Sequence, residues 1–162
     1  MKTSLAAAAT LILIGTITAD DNPRLKDGLW SIHTQLTEHP SEQRNETDTS
    51  YCRNRAHDDR ERSAKKQGAN CKTLSDKTSG GTRITETECA ASDAVMKTKL
   101  TLNVISDSAT HTETVTTFSP PSAGRTGTTI ITDQKYVGAC PAGVQPGDLL
   151  DAAGKVIHHG KP

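Results

Sequence analysis

The chain of 162 residues carries 19 basic and 19 acidic side chains, so its formal net charge is zero. Apolar residues make up 33% of it and aromatic residues only 2%, which excludes a large hydrophobic core. The balanced charge offers no basic surface of the kind that binds nucleic acid or an anionic membrane.

The N-terminal segment has the order of a secretory signal. Lys2 is followed by an apolar run over residues 5–14 and by small and polar residues up to Ala19, after which we expect cleavage. No later segment has the roughly 20 apolar residues that cross a bilayer. The sequence therefore predicts a signal peptide over residues 1–19 and an exported protein, periplasmic or secreted, with no membrane span.

The next part of the chain has the alternation of a half-buried strand. Residues 29–36 put Trp30 and Ile32 on one face and polar side chains on the other. Residues 42–51 are expected to pair with this strand across a turn at residues 39–41.

Residues 54–67 differ in character, because charged residues and alanine replace the β-branched ones. This composition is typical of a short exposed helix, with Asn54 as its N-cap and Gly68 as its stop.

A hairpin is expected directly after the helix. Residues 70–78 and 82–90 flank a glycine-containing loop at residues 79–81, which we interpret as a three-residue turn. In that register Cys71 faces Cys89. Directly opposed β-carbons lie about 4.5 to 5.5 Å apart, close to the separation that a disulfide needs.

The four cysteines are interpreted as two disulfides that support a thin core. Of the three possible connectivities, the hairpin favours Cys71 with Cys89, which leaves Cys52 with Cys140. Zinc binding and reduced or partly paired thiols are the alternatives. The long spacings and the lack of a Cys-x-x-Cys pair argue against zinc.

The rest of the chain predicts three further strands. Residues 94–105 place Leu100 and Leu102 on one face, residues 109–118 alternate threonine with other residues, and residues 126–137 follow a break at two prolines. Sequential strands joined by short turns predict a mainly β fold. We expect a single antiparallel meander of about seven strands, forming a curved sheet or partly open barrel with one short helix.

The segment Leu25-Lys26-Asp27-Gly28-Leu29-Trp30 resembles the opening of a bacterial exported family, domain of unknown function 3617. That family usually begins its mature domain with Leu-Lys-Pro-Gly-Leu-Trp, so Asp27 departs from it. The order of cysteines, the helical insert and the closing segment Tyr136-Val137-Gly138-Ala139-Cys140 also resemble the family, over residues 25–149. The resemblance implies no activity and no active-site residues, and Asp27 is expected only to relax a turn.

The sequence contains no recognisable catalytic constellation. It lacks a Gly-x-Ser-x-Gly elbow, and Glu88 is better explained by pairing with Lys72 than by acid catalysis. His158 and His159, with Asp148 or Asp151, are the only histidine pair that suggests a metal, and a solvated tail is the favoured explanation for them. We therefore predict no catalytic residue, no metal and no cofactor.

Two binding hypotheses come from the strands. The alternating threonines from Thr110 to Thr116 suggest a surface that orders water or binds ice or a glycan, although strand propensity is the favoured explanation. Trp30, Ile32, Leu100 and Leu102 are the candidates for an apolar pocket, against the simpler role of Trp30 as a core anchor.

The predicted organisation is a signal peptide over 1–19, a disulfide-stapled β domain over 20–140 and an irregular tail over 141–162. The expected function is non-catalytic: a monomeric binding or interaction module of the cell envelope. Its expected partner is an envelope protein or a small apolar ligand, and not nucleic acid. The alternatives are a carrier of such a ligand and an enzyme without a recognisable motif.

Overall fold

The computed structural model describes residues 24–65, 70–90 and 94–159. The predicted signal peptide, its cleavage site near Ala19 and the predicted helix stop at Gly68 lie outside these residues.

The described residues form nine strands and one helix. The elements in chain order are β1 (Gly28–His39), β2 (Gln43–Arg53), α1 (Arg55–Lys65), β3 (Cys71–Ser79), β4 (Thr82–Ala90), β5 (Val95–Ser106), β6 (Ala109–Ser122), β7 (Arg125–Gly138), β8 (Leu149–Leu150) and β9 (Val156–His158).

All nine strands belong to one antiparallel sheet in the order β3-β4-β5-β6-β7-β1-β2-β8-β9. Neighbours in sequence pair as hairpins from β3 to β7, and β1 inserts between β7 and β2. Within the described residues, β3 and β9 end the sheet without pairing to each other, so the sheet stays open. The predicted antiparallel β fold with one short helix is confirmed.

The count of nine strands corrects the expected seven. The two additional strands, β8 and β9, contain only two and three residues and lie in the segment expected to be an irregular tail. Strands this short carry no readable alternation. Their position is set by pairing with β2, where Ser50 faces Leu150 and Tyr51 faces Leu149.

β6 also continues further than expected. It runs through Pro120 and Pro121 to Ser122. The pairing with β7 is interrupted between Thr117 and Ser122, so the prolines occupy a stretch where no ladder hydrogen bond is required of them.

The β3–β4 hairpin has a shorter turn than predicted. Gly80 and Gly81 form a two-residue connection with φ values of +57° and +81°, which two adjacent glycines allow without steric cost. A bulge between Thr73 and Ser75 shifts the register by one residue, so Cys71 nevertheless faces Cys89. The predicted three-residue loop is wrong, and the bulge explains why the expected cysteine pairing survives.

The helix begins where the sequence predicts. Asn54 is its N-cap: the side-chain Oδ1 accepts a hydrogen bond from the backbone N–H of His57 at 3.3 Å. The helix is anchored to the sheet by its first turn, where Asp58 contacts Arg53 of β2 at 2.7 Å.

The most deeply buried side chains lie where β1, β2 and the C-terminal segment meet. Trp30 is fully buried, and Cys52, Asp148 and Leu150 are nearly so. The indole Nε1 of Trp30 donates a hydrogen bond to the backbone oxygen of Lys26 at 2.9 Å, which satisfies its only polar atom. Trp30 is therefore a core anchor.

The C-terminal segment is held against the end of β2. The backbone N–H of Cys52 donates to the oxygen of Asp148 at 3.0 Å, and that of Gly147 donates to the oxygen of Cys52 at 2.8 Å. Cys52 is also disulfide-bonded to Cys140. Two backbone hydrogen bonds and one disulfide, all at Cys52, thus fix the segment after β7 to the β2–α1 junction.

Candidate functional site: a cavity on one face of the sheet

One face of the sheet carries a cavity of about 440 Å³. Its floor is formed by β4, β5 and β6, where Leu100 lies between Thr85 and Thr114 and Leu102 lies between Arg83 and Thr112 in neighbouring strands. A volume of a few hundred cubic ångströms is typical of small-molecule sites.

The roof of the cavity is built from two segments that are far apart in sequence. One is the arm formed by residues 24–27, and the other is the junction between β2 and α1, with Arg53, Arg55 and Asp58. The arm is fastened to the β5–β6 turn, since the backbone N–H of Lys26 donates to the oxygen of Asp107 at 2.9 Å.

Asp27 ties the two roof segments together. Its Oδ1 accepts a hydrogen bond from the backbone N–H of Arg55 at 2.9 Å, and its Oδ2 accepts one from the Asn54 side chain at 3.4 Å. A carboxylate at the start of a helix also interacts favourably with the helix dipole. Asp27, which was expected from the sequence only to relax a turn, therefore makes specific contacts with the start of the helix.

Arg53 is the most enclosed cation of the roof, with 17% of its side chain exposed. Its guanidinium lies over the Trp30 ring, with Cζ 5.0 Å from the centroid. Nε lies 2.7 Å from Oδ2 of Asp58. Neither Nε nor Nη1 forms a hydrogen bond of acceptable geometry with a described residue, and both atoms are buried.

Tyr51 of β2 and His57 of α1 extend the polar cluster of Arg53 and Asp58. The Tyr51 hydroxyl lies 3.1 Å from Nδ1 of His57 and donates to Asp58 at 3.4 Å. Burial, reinforced by the negative charge of Asp58, raises the pKa of Tyr51 to about 12. The phenol is therefore neutral at physiological pH and acts as a hydrogen-bond donor.

The four residues predicted to line an apolar pocket do not come together in one cavity. Leu100 and Leu102 line the cavity on the floor. Trp30 is fully buried behind Arg53, and Ile32 borders a separate cleft near Ala152. The cavity instead uses Leu25 and the threonines of β4, β5 and β6, which the sequence analysis did not assign to a pocket.

The opposite face of the sheet carries a cross-strand row of charged residues. Asp48, His33, Asp133 and His111 face one another in succession on β2, β1, β7 and β6. Nδ1 of His33 lies 2.8 Å from Asp48, and Nδ1 of His111 lies 2.8 Å from Asp133. The hydrogen bond to Asp48 is the main reason that the pKa of His33 is raised above 6.5.

The C-terminal histidines are placed differently from each other. Nδ1 of His159 lies 3.2 Å from Oδ1 of the buried Asp148, whereas His158 is exposed on β9. Over residues 24–65, 70–90 and 94–159, no group of three or more His, Cys, Asp or Glu side chains has the arrangement of a metal site.

Both disulfides link the expected cysteines. Cys71 and Cys89 are joined within the β3–β4 hairpin, and Cys52 and Cys140 join the β2–α1 junction to the segment after β7. The second bond lies next to Arg53 and so fixes the roof of the cavity.

A family model described as a protein of unknown function, DUF3617, matches residues 25–140. The chain belongs to this family. The match begins in the arm and ends at Cys140, so the DUF3617 region includes the arm, the β2–α1 junction and the whole cavity floor. No curated protein matches the chain.

The DUF3617 fold contains one helix within the described residues, α1. A search of those residues finds no helix with the length and apolar character that crossing a membrane requires.

Proposed function

We propose that this DUF3617 domain is a non-catalytic binding module of the bacterial cell envelope that holds a small apolar molecule in the cavity above Leu100 and Leu102. The observation that carries the proposal is the cavity itself, with an apolar floor on β5 and a roof formed by the arm and the β2–α1 junction. The signal-like N-terminus and the two disulfides support an oxidising compartment, such as the periplasm.

Binding in the cavity is better supported than binding along the free sheet edge. The edge strand β3 is almost entirely exposed, but it carries Lys72 and Lys77 and is interrupted by the bulge at Leu74. Charged side chains and bulges are features that protect an edge from pairing with another strand. The proposed partner is therefore a small molecule.

A matched pair of substitutions tests the proposal with the neutral apolar dye Nile red. Leu102→Gln places an amide on the cavity floor, whereas Leu74→Gln makes the same change on the half-exposed bulge of β3. We expect the first to weaken dye binding about tenfold or more, because about 2 kcal/mol of apolar contact is replaced by an amide that needs solvation.

Leu74→Gln is expected to leave the affinity unchanged. The protein is purified from a periplasmic extract, where its intact mass also reports whether cleavage occurs near Ala19. Dye binding that is equal in both variants, or absent in the unmodified protein, rules out the cavity as the binding site.

A further inference from the structure

We propose that the ligand of the cavity is an amphiphile with one carboxylate, whose charged end lies against Arg53 and whose apolar chain lies over Leu100 and Leu102. This inference rests on the proposed function and adds the chemical class of the ligand to it.

Arg53 differs from Arg55 and Arg83, two other arginines of the cavity wall, in how its donors are used. Arg83 donates two hydrogen bonds to Asp76, at 2.9 and 2.6 Å. Arg55 lies 3.8 Å from Asp59 through its Nε. The Arg53 side chain, by contrast, contacts Asp58 through Nε, and neither Nε nor Nη1 forms a hydrogen bond of acceptable geometry with a described residue.

An enclosed guanidinium with unused N–H groups is an unfavourable arrangement unless an acceptor is supplied. Arginine presents five N–H donors in a planar fork that matches the two oxygens of a carboxylate. Because Nε and Nη1 are buried, a carboxylate in the cavity would meet the part of Arg53 that lines it, and would place a second negative charge and a charge-assisted hydrogen bond beside the cation. A neutral ligand would leave that capacity unused.

The charges of the wall, four arginines and two aspartates, favour an anionic ligand with a single negative charge. Asp27 and Asp58 also line the cavity, within the roof that holds Arg53. A second negative charge would approach these two carboxylates and be repelled. A cationic ligand would instead meet the arginine side chains that form part of the wall.

The remainder of the cavity selects for an apolar chain. Leu25 contributes from the arm above, and Leu100 and Leu102 contribute from β5 below. Threonines of β4, β5 and β6 line the same cavity. An amphiphile can contact both regions at once, with its alkyl chain over the leucines of the floor and its carboxylate beside Arg53 at the β2–α1 junction.

The experiment compares three probes of equal chain length by calorimetry: decanoate, decanol and decylamine, each below the concentration at which it forms micelles. We expect decanoate to bind about tenfold or more tightly than decanol, and decylamine to bind most weakly. Arg53→Gln should abolish the preference for decanoate, whereas Arg53→Lys should retain it because the positive charge remains.

Asp58→Asn gives a test in the opposite direction. It removes the carboxylate that lies 2.7 Å from Nε of Arg53, so decanoate should bind severalfold more tightly while decanol affinity is unchanged. Arg125→Gln is the control, since Arg125 pairs with Glu38 at 3.0 Å and does not line the cavity. A gain of affinity cannot arise from partial unfolding, so this variant decides the question even if Arg53→Gln fails to fold.

The outcomes separate the inference from the function on which it rests. Equal binding of decanoate and decanol, with no effect of Asp58→Asn, overturns the carboxylate assignment and leaves the apolar cavity site intact. Binding of none of the three probes overturns both. Selective decanoate binding that Asp58→Asn strengthens supports both.

Discussion

Asp27 shows how one side chain connects parts of the chain that are distant in sequence. Its carboxylate accepts hydrogen bonds from the backbone of Arg55 and from the side chain of Asn54, so the arm and the helix start are joined at a single residue. Asn54, directly before the helix, caps it, and Asp27, from the segment before β1, adds a second acceptor at the helix start. The roof of the cavity therefore depends on a residue that belongs to neither β2 nor α1.

We predict that Asp27→Ala lowers the free energy of unfolding by about 1 kcal/mol, the usual cost of losing a capping side chain. Urea denaturation measures the change. Glu113→Ala, on the exposed side of β6, is the control and should alter the free energy by less than about 0.5 kcal/mol. Equal effects of the two substitutions would show that Asp27 does not hold the roof.

The charged row on the opposite face depends on how whole strands pair. It forms only when β2, β1, β7 and β6 are in register, which brings together Asp48, His33, Asp133 and His111. The raised pKa of His33 has a definite consequence for stability. A histidine whose pKa is higher in the folded state stabilises that state fully below 6.5, and the contribution is lost as the pH rises through the folded pKa. The pairing of β1 with β2 is therefore supported most at mildly acidic pH.

We predict that Asp48→Asn lowers the pKa of His33 toward 6.5, because the hydrogen bond to an ionised carboxylate is lost, and with it the negative charge that also raises the pKa. The midpoint of the His33 ring signals in an NMR titration measures this. Glu42→Gln is the matched control, since Glu42 contacts His39 at 2.7 Å instead. A His33 midpoint that is the same in the Asp48 variant and the unmodified protein would contradict the assignment.

The elements differ in how much of them the sequence predicts. β1 and β5 were predicted because alternation is a local signal that persists over many residues. The turn of the β3–β4 hairpin was not, because a bulge near Leu74 leaves no mark on the pattern of side chains. Strands as short as β8 have no period at all and form only because β2 offers an edge to pair with.

The candidate site was less predictable than the strands. Leu100 and Leu102 were expected on one face, and they line the cavity. The roof was not foreseen, because the contact of Asp27 with Arg55 spans 28 positions and depends on where the helix packs. The enclosure of Arg53 between Trp30 and Asp58 is equally a product of packing, which no local pattern records.

At the scale of the whole molecule, two disulfides compensate for a thin core. Among the described apolar residues only Trp30, Cys52, Ala94 and Leu150 are buried. The Cys52–Cys140 bond joins residues 88 positions apart, and the Cys71–Cys89 bond joins residues 18 apart. In the chain-entropy model the longer loop contributes more, because closing it removes more freedom from the unfolded chain.

We predict that replacing Cys52 and Cys140 together by alanine lowers the free energy of unfolding by about 4 to 5 kcal/mol, and that the same change at Cys71 and Cys89 lowers it by about 3 kcal/mol. Thermal and urea unfolding of the two double variants measure the difference. The reverse order of stabilities would show that local strain or residual structure in the unfolded chain outweighs loop length.

The long disulfide also sets an order in which the domain can be fastened. In a chain that enters an oxidising compartment from its N-terminus, Cys71 and Cys89 arrive before Cys140, so Cys52 gains its partner last. The β2–α1 junction next to Cys52 is thus secured last. A truncated product lacking Cys140 would have the cavity floor, but the roof would not be held by the long disulfide. A fixed roof therefore requires the chain to extend at least to Cys140.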